Sequence, residues 1–135
     1  MIFVDSNVLI DLSDRAGGWS SWSRITLRGY RERLATNHVV FAEVSARFAN
    51  LDSAGIFLDS LGIAVLPLDA PAAFRAGQAH AAYRRAGGTR QAILADFLIA
   101  GHASALDATL LTRDRQRFAS YFPELKLIAP ETQNG

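Results

Sequence analysis

Short apolar runs rich in Val, Ile and Leu alternate along the chain with longer stretches of helical pattern. Ile2-Phe3-Val4 is the first candidate strand and Val39-Val40-Phe41 the second; Ile63 to Leu68, Thr109 to Thr112 and Leu125 to Ala129 supply three more. Their apolar character is continuous rather than alternating, which suits parallel strands buried on both faces. Helix-length segments fall at residues 7–13, 19–35, 43–61, 71–86, 91–106 and 115–121. Strands separated by helices imply right-handed βαβ crossovers and a parallel sheet of about five strands covered by helices. No internal repeat, low-complexity tract or linker interrupts residues 1–135, so one α/β domain is expected.

Boundary residues support this division. Asp5-Ser6-Asn7 offers three successive helix-capping side chains before the first helix. Pro71 stands where a helix starts, and Gly87-Gly88 where the helix carrying Arg84 and Arg85 stops. Pro123 and Pro130 confine the last strand. Trp19, Trp22 and Ile25 form a stripe at helical spacing, a pattern that ordinarily faces a core.

Composition narrows the function classes. A chain of 135 residues, half of them hydrophobic, builds a real core. Without cysteine it has neither disulfides nor a thiolate metal site, which fits a reducing compartment. The opening MIFVDSN lacks a basic, long-apolar leader, and no stretch approaches the roughly 20 apolar residues of a membrane span. A soluble, cytoplasmic protein without membrane contact is expected. Net charge is +1, so any affinity for nucleic acid must come from local geometry. Thirteen of the fourteen basic residues are Arg, whose planar fork matches phosphate oxygens, but a GC-rich genome is the better account of the bulk count, so only local Arg clusters bear on function.

The acidic residues carry the chemical signal. In an open parallel sheet, ligands bind at the carboxyl ends of the strands. Asp5 follows the first expected strand, Glu43 comes two residues after Phe41, and Asp114 two after Thr112. Asp96 interrupts Ile93-Leu94-Ala95-Asp96-Phe97-Leu98-Ile99-Ala100-Gly101, which is otherwise apolar or glycine. An unpaired carboxylate inside such a helix is costly, and a residue at odds with its surroundings marks a functional position. Taken singly, each acid has an ordinary reading: Asp5 as a helix cap, Glu43 as a first-turn residue, Asp114 as a turn residue, Asp96 paired with a core Arg or His. Their joint placement at one sheet edge favours a single site.

Crowded carboxylates raise one another's pKa, and a divalent cation reverses that logic. Mg²⁺ and Mn²⁺ take oxygen ligands and are commonly held by a few carboxylates plus substrate phosphate. The absence of cysteine and of a histidine pair at ligand spacing argues against zinc. A metal so held activates water and neutralises charge at phosphorus, which makes phosphodiester hydrolysis the natural reaction. Two other classes compete. A receiver-type phosphoacceptor domain would use Asp69 near the third strand, but the only lysine, Lys126, lies in the last strand. An inert binding module would keep the acids without the activity. No Gly-rich phosphate loop follows any strand, which disfavours a nucleotide-binding enzyme.

At these residues the sequence resembles the PIN-domain nucleases, specifically the VapC-type toxins of bacterial toxin–antitoxin modules. Phe3-Val4-Asp5-Ser6-Asn7-Val8-Leu9-Ile10-Asp11 is similar to their first motif. Ala42-Glu43-Val44, Asp96-Phe97-Leu98-Ile99-Ala100 and Leu111-Thr112-Arg113-Asp114-Arg115 resemble the next three, in order and at family spacing. Ser6 stands where Thr is frequent and Phe97 where Ala is frequent, and neither change removes an acid.

The resemblance implies a three-layer α/β/α fold. It implies Asp5, Glu43, Asp96 and Asp114 as ligands of one or two Mg²⁺ or Mn²⁺ ions. Ser6 and Thr112 would be supporting hydroxyls, and Asn7 either a third support or a helix-start residue. The implied activity is an endoribonuclease acting on tRNA or rRNA, with in-line attack by metal-activated water leaving 5′-phosphate and 3′-hydroxyl ends. The implied partners are a VapB-type antitoxin and a second copy in a homodimer, with the Trp19–Trp22 helix near the antitoxin's groove as a minor alternative. Arg113, Arg115 and Arg117 flank Asp114 and are candidate RNA contacts or simply a solvated helix start. Arg84, Arg85 and Arg90 are weaker candidates for the same groove. Asp11 is not expected to share the metal; His102 is expected to be packed rather than catalytic, and His38 and His80 give no signal.

Overall fold

The computed structural model describes residues 1–14, 17–90 and 93–130. Five parallel strands, β1 (Ile2–Val4), β2 (Leu34–Asn37), β3 (Ile63–Leu66), β4 (Thr109–Leu111) and β5 (Lys126–Ile128), form one sheet in the order β3-β2-β1-β4-β5. Among the described residues seven helices connect them: α1 (Ser6–Ser13), α2 (Ser20–Arg28), α3 (His38–Ser45), α4 (Leu51–Ser60), α5 (Ala70–Arg85), α6 (Ile93–Ala105) and α7 (Gln116–Ala119). The architecture is the expected PIN-like α/β/α arrangement. The chain moves outward from β1 to β3, then returns to lay β4 on the other side of β1. Strand order therefore reverses between β1 and β4, and the crevice beyond their carboxyl ends is where such sheets place ligands. β1 is wholly buried and pairs Val4 with Leu111 of β4, so the residues following both strands emerge side by side.

Three expectations about the first half of the chain are corrected. The second strand is Leu34–Asn37, not Val39-Val40-Phe41. β-branched residues attract a strand assignment, but the Asn37 side chain accepts a hydrogen bond from Val40 N (3.0 Å) and starts α3 there. Val40 and Val44 then share the buried side of that helix, one turn apart. The true strand escapes an apolar scan because it contains Thr36, whose Oγ1 donates to the Val4 carbonyl (2.9 Å) and so is buried without penalty. The helix expected over 19–35 consequently stops at Gly29. The segment expected as one helix over 43–61 divides into α3 and α4, the latter opened by a reciprocal Asn50–Ser53 capping box.

The third, fourth and fifth strands lie where the apolar runs place them, each slightly shorter. Asp69 caps α5 with Pro71 in its first turn, and Gly87 adopts a positive φ after Arg85. Residues 91 and 92 of the expected helix over 91–106 lie outside the described residues. The Trp19–Trp22–Ile25 stripe is core only in part: Trp22 packs against the core, but Ile25 is 70% exposed, and the fully buried residues of α2 are Ser20, Ser23 and Leu27.

The crossing of α5 with α6 fixes the entry of α6 into the site. α5 buries only Ala72, Ala76 and Ala79. Opposite them, a Cβ on Gly101 would come within 2.8 Å of Ala76 N, so only glycine permits this approach. α6 also buries Ile93, Phe97 and Ile99. His102 is buried against the Phe3 ring, as expected of a packed residue. Since Asn37 Oδ1 caps α3, Asn37 Nδ2 is the group that donates to His102 Nδ1 (3.1 Å). That bond requires the neutral imidazole, in agreement with burial lowering the His102 pKa against the opposing charge of Asp69.

Candidate active site

Asp5 leaves β1 directly and has no exposed surface. One carboxylate oxygen accepts from Ser6 N (2.7 Å), with the Ser6 hydroxyl at 3.5 Å, and the other accepts from Thr112 Oγ1 (2.7 Å). The Thr112 hydroxyl in turn accepts from Asp114 N (3.1 Å) and Asn7 Nδ2 (3.4 Å), so its one donor and two acceptor sites are all used. Asn7 Oδ1 accepts from Arg113 N (3.2 Å). The expected supporting roles of Ser6, Thr112 and Asn7 thus have a geometric basis: they stitch the end of β1 to the end of β4.

Asp96 lies in the first turn of α6. It is half-buried rather than enclosed in an all-apolar helix, because Leu94 and the Asp96 face turn outward. Its carboxylate faces an open groove of about 620 Å³ lined by Ser6, Asn7, Ile10, Glu43, Arg90, Asp96, Asp114, Gln116 and Arg117. Asp5 does not line that groove: it is buried behind Ser6, which does. Glu43 reaches the groove from α3, six residues beyond Asn37 and not from a strand end as expected. The groove nevertheless collects three of the four predicted acids, Glu43, Asp96 and Asp114, while the fourth, Asp5, is reached through Arg117.

Arg117 occupies the centre. Its Nη1 lies 3.3 Å from Asp96 Oδ1 and 3.8 Å from Asp5 Oδ2, and its Nε 3.3 Å from Asp114 Oδ2. Arg117 N also donates to Asp114 Oδ1 (3.2 Å). One guanidinium therefore answers three carboxylates from three elements. Burial raises the Asp5 pKa above its ordinary value, against the Thr112 hydroxyl and the Arg117 charge, and the nearby Asp96 charge adds to the rise. Burial likewise raises Asp96 against Arg117 and Arg90. Burial of its carboxyl raises Glu43 too, against a hydrogen bond with the Ser6 side chain, and the Asp5 and Asp96 charges add to the rise, although the residue as a whole is exposed. The site is a carboxylate cluster short of positive charge.

The other arginines divide. Arg113 is drawn away from the groove, with Nε 2.7 Å from Asp11 Oδ2 and its guanidinium over the Trp19 ring. Arg115 is exposed at the start of α7. Arg90 lines both the acidic groove and an adjoining cavity of about 400 Å³ with His80, Tyr83, Arg84, Gly88, Thr89 and Leu94. Asp11 instead meets Arg113 and the Ser23 hydroxyl. Asp69 accepts from Ala72 N as the α5 cap, which gives the rival phosphoacceptor an ordinary structural role.

A family model, the PIN domain, matches residues 2–121. The chain belongs to the PIN-domain family. No curated protein matches it. Solved structures share the PIN fold at low identity. Rickettsia felis VapBC2 bound to a promoter DNA fragment is 22% identical with a TM-score of 0.71, covering 97% of this chain and all of that one. Neisseria gonorrhoeae FitAcB is 22% identical at 0.70, covering 96% and 98%, and DNA-bound VapBC from Salmonella typhimurium 20% at 0.72, covering 95% and 96%. Within this PIN domain no described helix is long and apolar enough to cross a membrane.

Divalent-metal use can be tested against the donor set. Oxygen donors dominate, two of the acids are partly or wholly removed from water, and a cation already bridges three of them, so the chemistry fits a hard ion. The arrangement is not yet a cage: among the described residues no three acidic or histidine side chains are set as ready ligands of one ion. Arg117 stands between them. Its role was missed in the sequence, where the only trace is its spacing three residues after Asp114.

Proposed function

We propose that this PIN domain is a metal-dependent endoribonuclease toxin of the VapC type, hydrolysing RNA phosphodiester bonds, with tRNA or rRNA as substrate class. The observation that carries the reading is the convergence of Asp5, Asp96 and Asp114, from three separate elements, on one cationic group at the strand-order reversal. The family and the toxin–antitoxin complexes among its structural neighbours support it. Asp5, Glu43, Asp96 and Asp114 would hold Mg²⁺, with Mn²⁺ as substitute. When bound, the ion supplies an activated water and neutralises charge at phosphorus. Ser6 and Thr112 keep the Asp5 oxygens aimed; Arg90 offers charge along the groove for substrate phosphates, and the exposed Arg115 next to the groove residue Gln116 adds to it. A VapB-type antitoxin and a homodimeric state complete the proposal, in the cytoplasm.

Cleavage mapping on total RNA tests it, comparing wild type with Asp96→Asn, each with and without Mn²⁺. Metal-dependent cuts bearing 5′-phosphate and 3′-hydroxyl ends, absent from the variant, are expected. Cyclic phosphate ends, or full activity in EDTA, would overturn it. An inert binding module is the second reading, favoured by the guanidinium already seated among the acids. It predicts weak Mn²⁺ binding and no cleavage under any condition.

A further inference from the structure

Arg117 is the basic residue whose placement the proposed chemistry leaves unexplained. Its guanidinium sits where a cation serving Asp5, Asp96 and Asp114 would sit, and Asp5 has no surface open to solvent while it does so. The contacts are loose. Close charge-assisted pairs in this molecule are shorter, 2.7 Å for Arg113–Asp11 and 2.9 Å for Arg75–Glu124, whereas Arg117 shares itself at 3.3, 3.3 and 3.8 Å. It is held as a compromise among three acids.

We propose that Arg117 is a built-in counter-cation of the acidic cluster, exchanged for the divalent ion on metal binding, so that guanidinium and metal occupy the cluster alternately. The inference rests on the reading of the cluster as a metal site. A Mg²⁺ ion needs carboxylate oxygens at about 2.0–2.1 Å and octahedral room for its waters, which a guanidinium at van der Waals distance from the same oxygens denies it. Two positive centres sharing those oxygens also repel. The backbone permits the exchange. Arg117 N remains bonded to Asp114 Oδ1, while its side chain is 28% exposed and borders the open groove, so it can leave without unfolding α7. The metal-free cluster is thereby kept from collapse or self-repulsion, and metal affinity is set below what the bare carboxylates would give.

Calorimetric Mn²⁺ titration of the EDTA-stripped full chain tests the exchange. Relative to wild type, Arg117→Met is expected to bind Mn²⁺ tighter by about tenfold or more, the scale of removing one nearby charge. Its metal-free Tm should fall and its Mn²⁺-induced rise in Tm should grow, with Arg117→Lys between the two. In wild type, saturating Mg²⁺ should shift the NMR signal of Arg117 Nε while that of Arg113 stays. Unchanged or weaker Mn²⁺ binding by Arg117→Met, or an Arg117 signal indifferent to Mg²⁺, overturns the proposal. Should Arg117→Met fail to fold without metal, folding restored by Mn²⁺ supports it and folding not restored refutes it. Absence of Mn²⁺ binding in both wild type and variant instead refutes the metal site itself.

Discussion

Arg113, in the loop after β4, and Arg117, in the helix α7 that follows it, meet carboxylates in opposite ways. Arg113 faces one acid, Asp11, at 2.7 Å, and that acid also accepts from Ser23 Oγ at 2.9 Å. The Arg113 Nε contact is a close ion pair whose angle is not that of a hydrogen bond, and the Trp19 ring covers the guanidinium. Charge is matched one to one, and α1, α2 and the β4 loop are tied together. Arg117 faces three acids at longer range, and Glu43 adds a fourth to the same groove. Charge there is deficient. A balanced pair is a structural tie; a cluster whose four acids outnumber Arg117 and Arg90 is a place that calls for another cation.

The comparison breaks if the two acids behave alike on substitution. Asp96→Asn should keep the fold and lower the RNA cleavage rate by about a hundredfold or more, measured as initial rates in Mn²⁺. Asp11→Ala should do the reverse. It leaves Arg113 without its partner and is expected to lower unfolding free energy by about 1–3 kcal/mol in urea titrations, a range reduced from that of fully buried pairs because Arg113 is partly exposed. The variant should retain most of its cleavage. A loss as large as that of Asp96→Asn would place Asp11 in the reacting cluster.

Thr112→Val sharpens the contrast from within the site. It removes the hydroxyl that aims Asp5, and Mn²⁺ affinity should fall by about tenfold with an unchanged circular dichroism spectrum. The smallest effect is on pH. Asp5, Glu43 and Asp96 have folded-state pKa values raised above the unfolded ones, so protonation favours the folded form. Their stabilising contribution is full below the ordinary carboxyl range and is lost as pH rises through the raised values. The metal-free Tm should therefore decline as pH climbs from about 4, and saturating Mn²⁺ should flatten or reverse that slope. A metal-free Tm that rises over the same range would mean the acids are well paired already.

Much of this was legible in the sequence because parallel strands announce themselves as apolar runs and acids at their ends stand out. Asp5 and Asp114 were found that way. Glu43 was found for a partly wrong reason: Val39-Val40-Phe41 looked like the strand before it, whereas the polar strand Leu34–Asn37 hides its hydroxyl by bonding Thr36 to Val4. Asp96 drew notice as a polar break in an apolar stretch. That stretch is a helix whose first turn opens onto the groove, a geometry periodicity alone does not convey. The partition of Arg113 from Arg117 was illegible, since it depends on which carboxylates lie within reach of two side chains four positions apart.

The pairing of Val4 with Leu111 gives the site a fixed half and an adjustable half. Asp5 and Thr112 sit one residue beyond partnered positions of adjacent strands, so their separation is inherited from the sheet's own spacing of roughly 4.8 Å. No point substitution elsewhere can retune it without slipping a strand. Glu43, Asp96 and Arg117 are carried by three different helices, so their placement depends on helix packing rather than on strand register. Variation in the shape of the site among chains built this way is therefore channelled into the helices, while the acid and hydroxyl just beyond the two strands act as the datum from which every variant is measured.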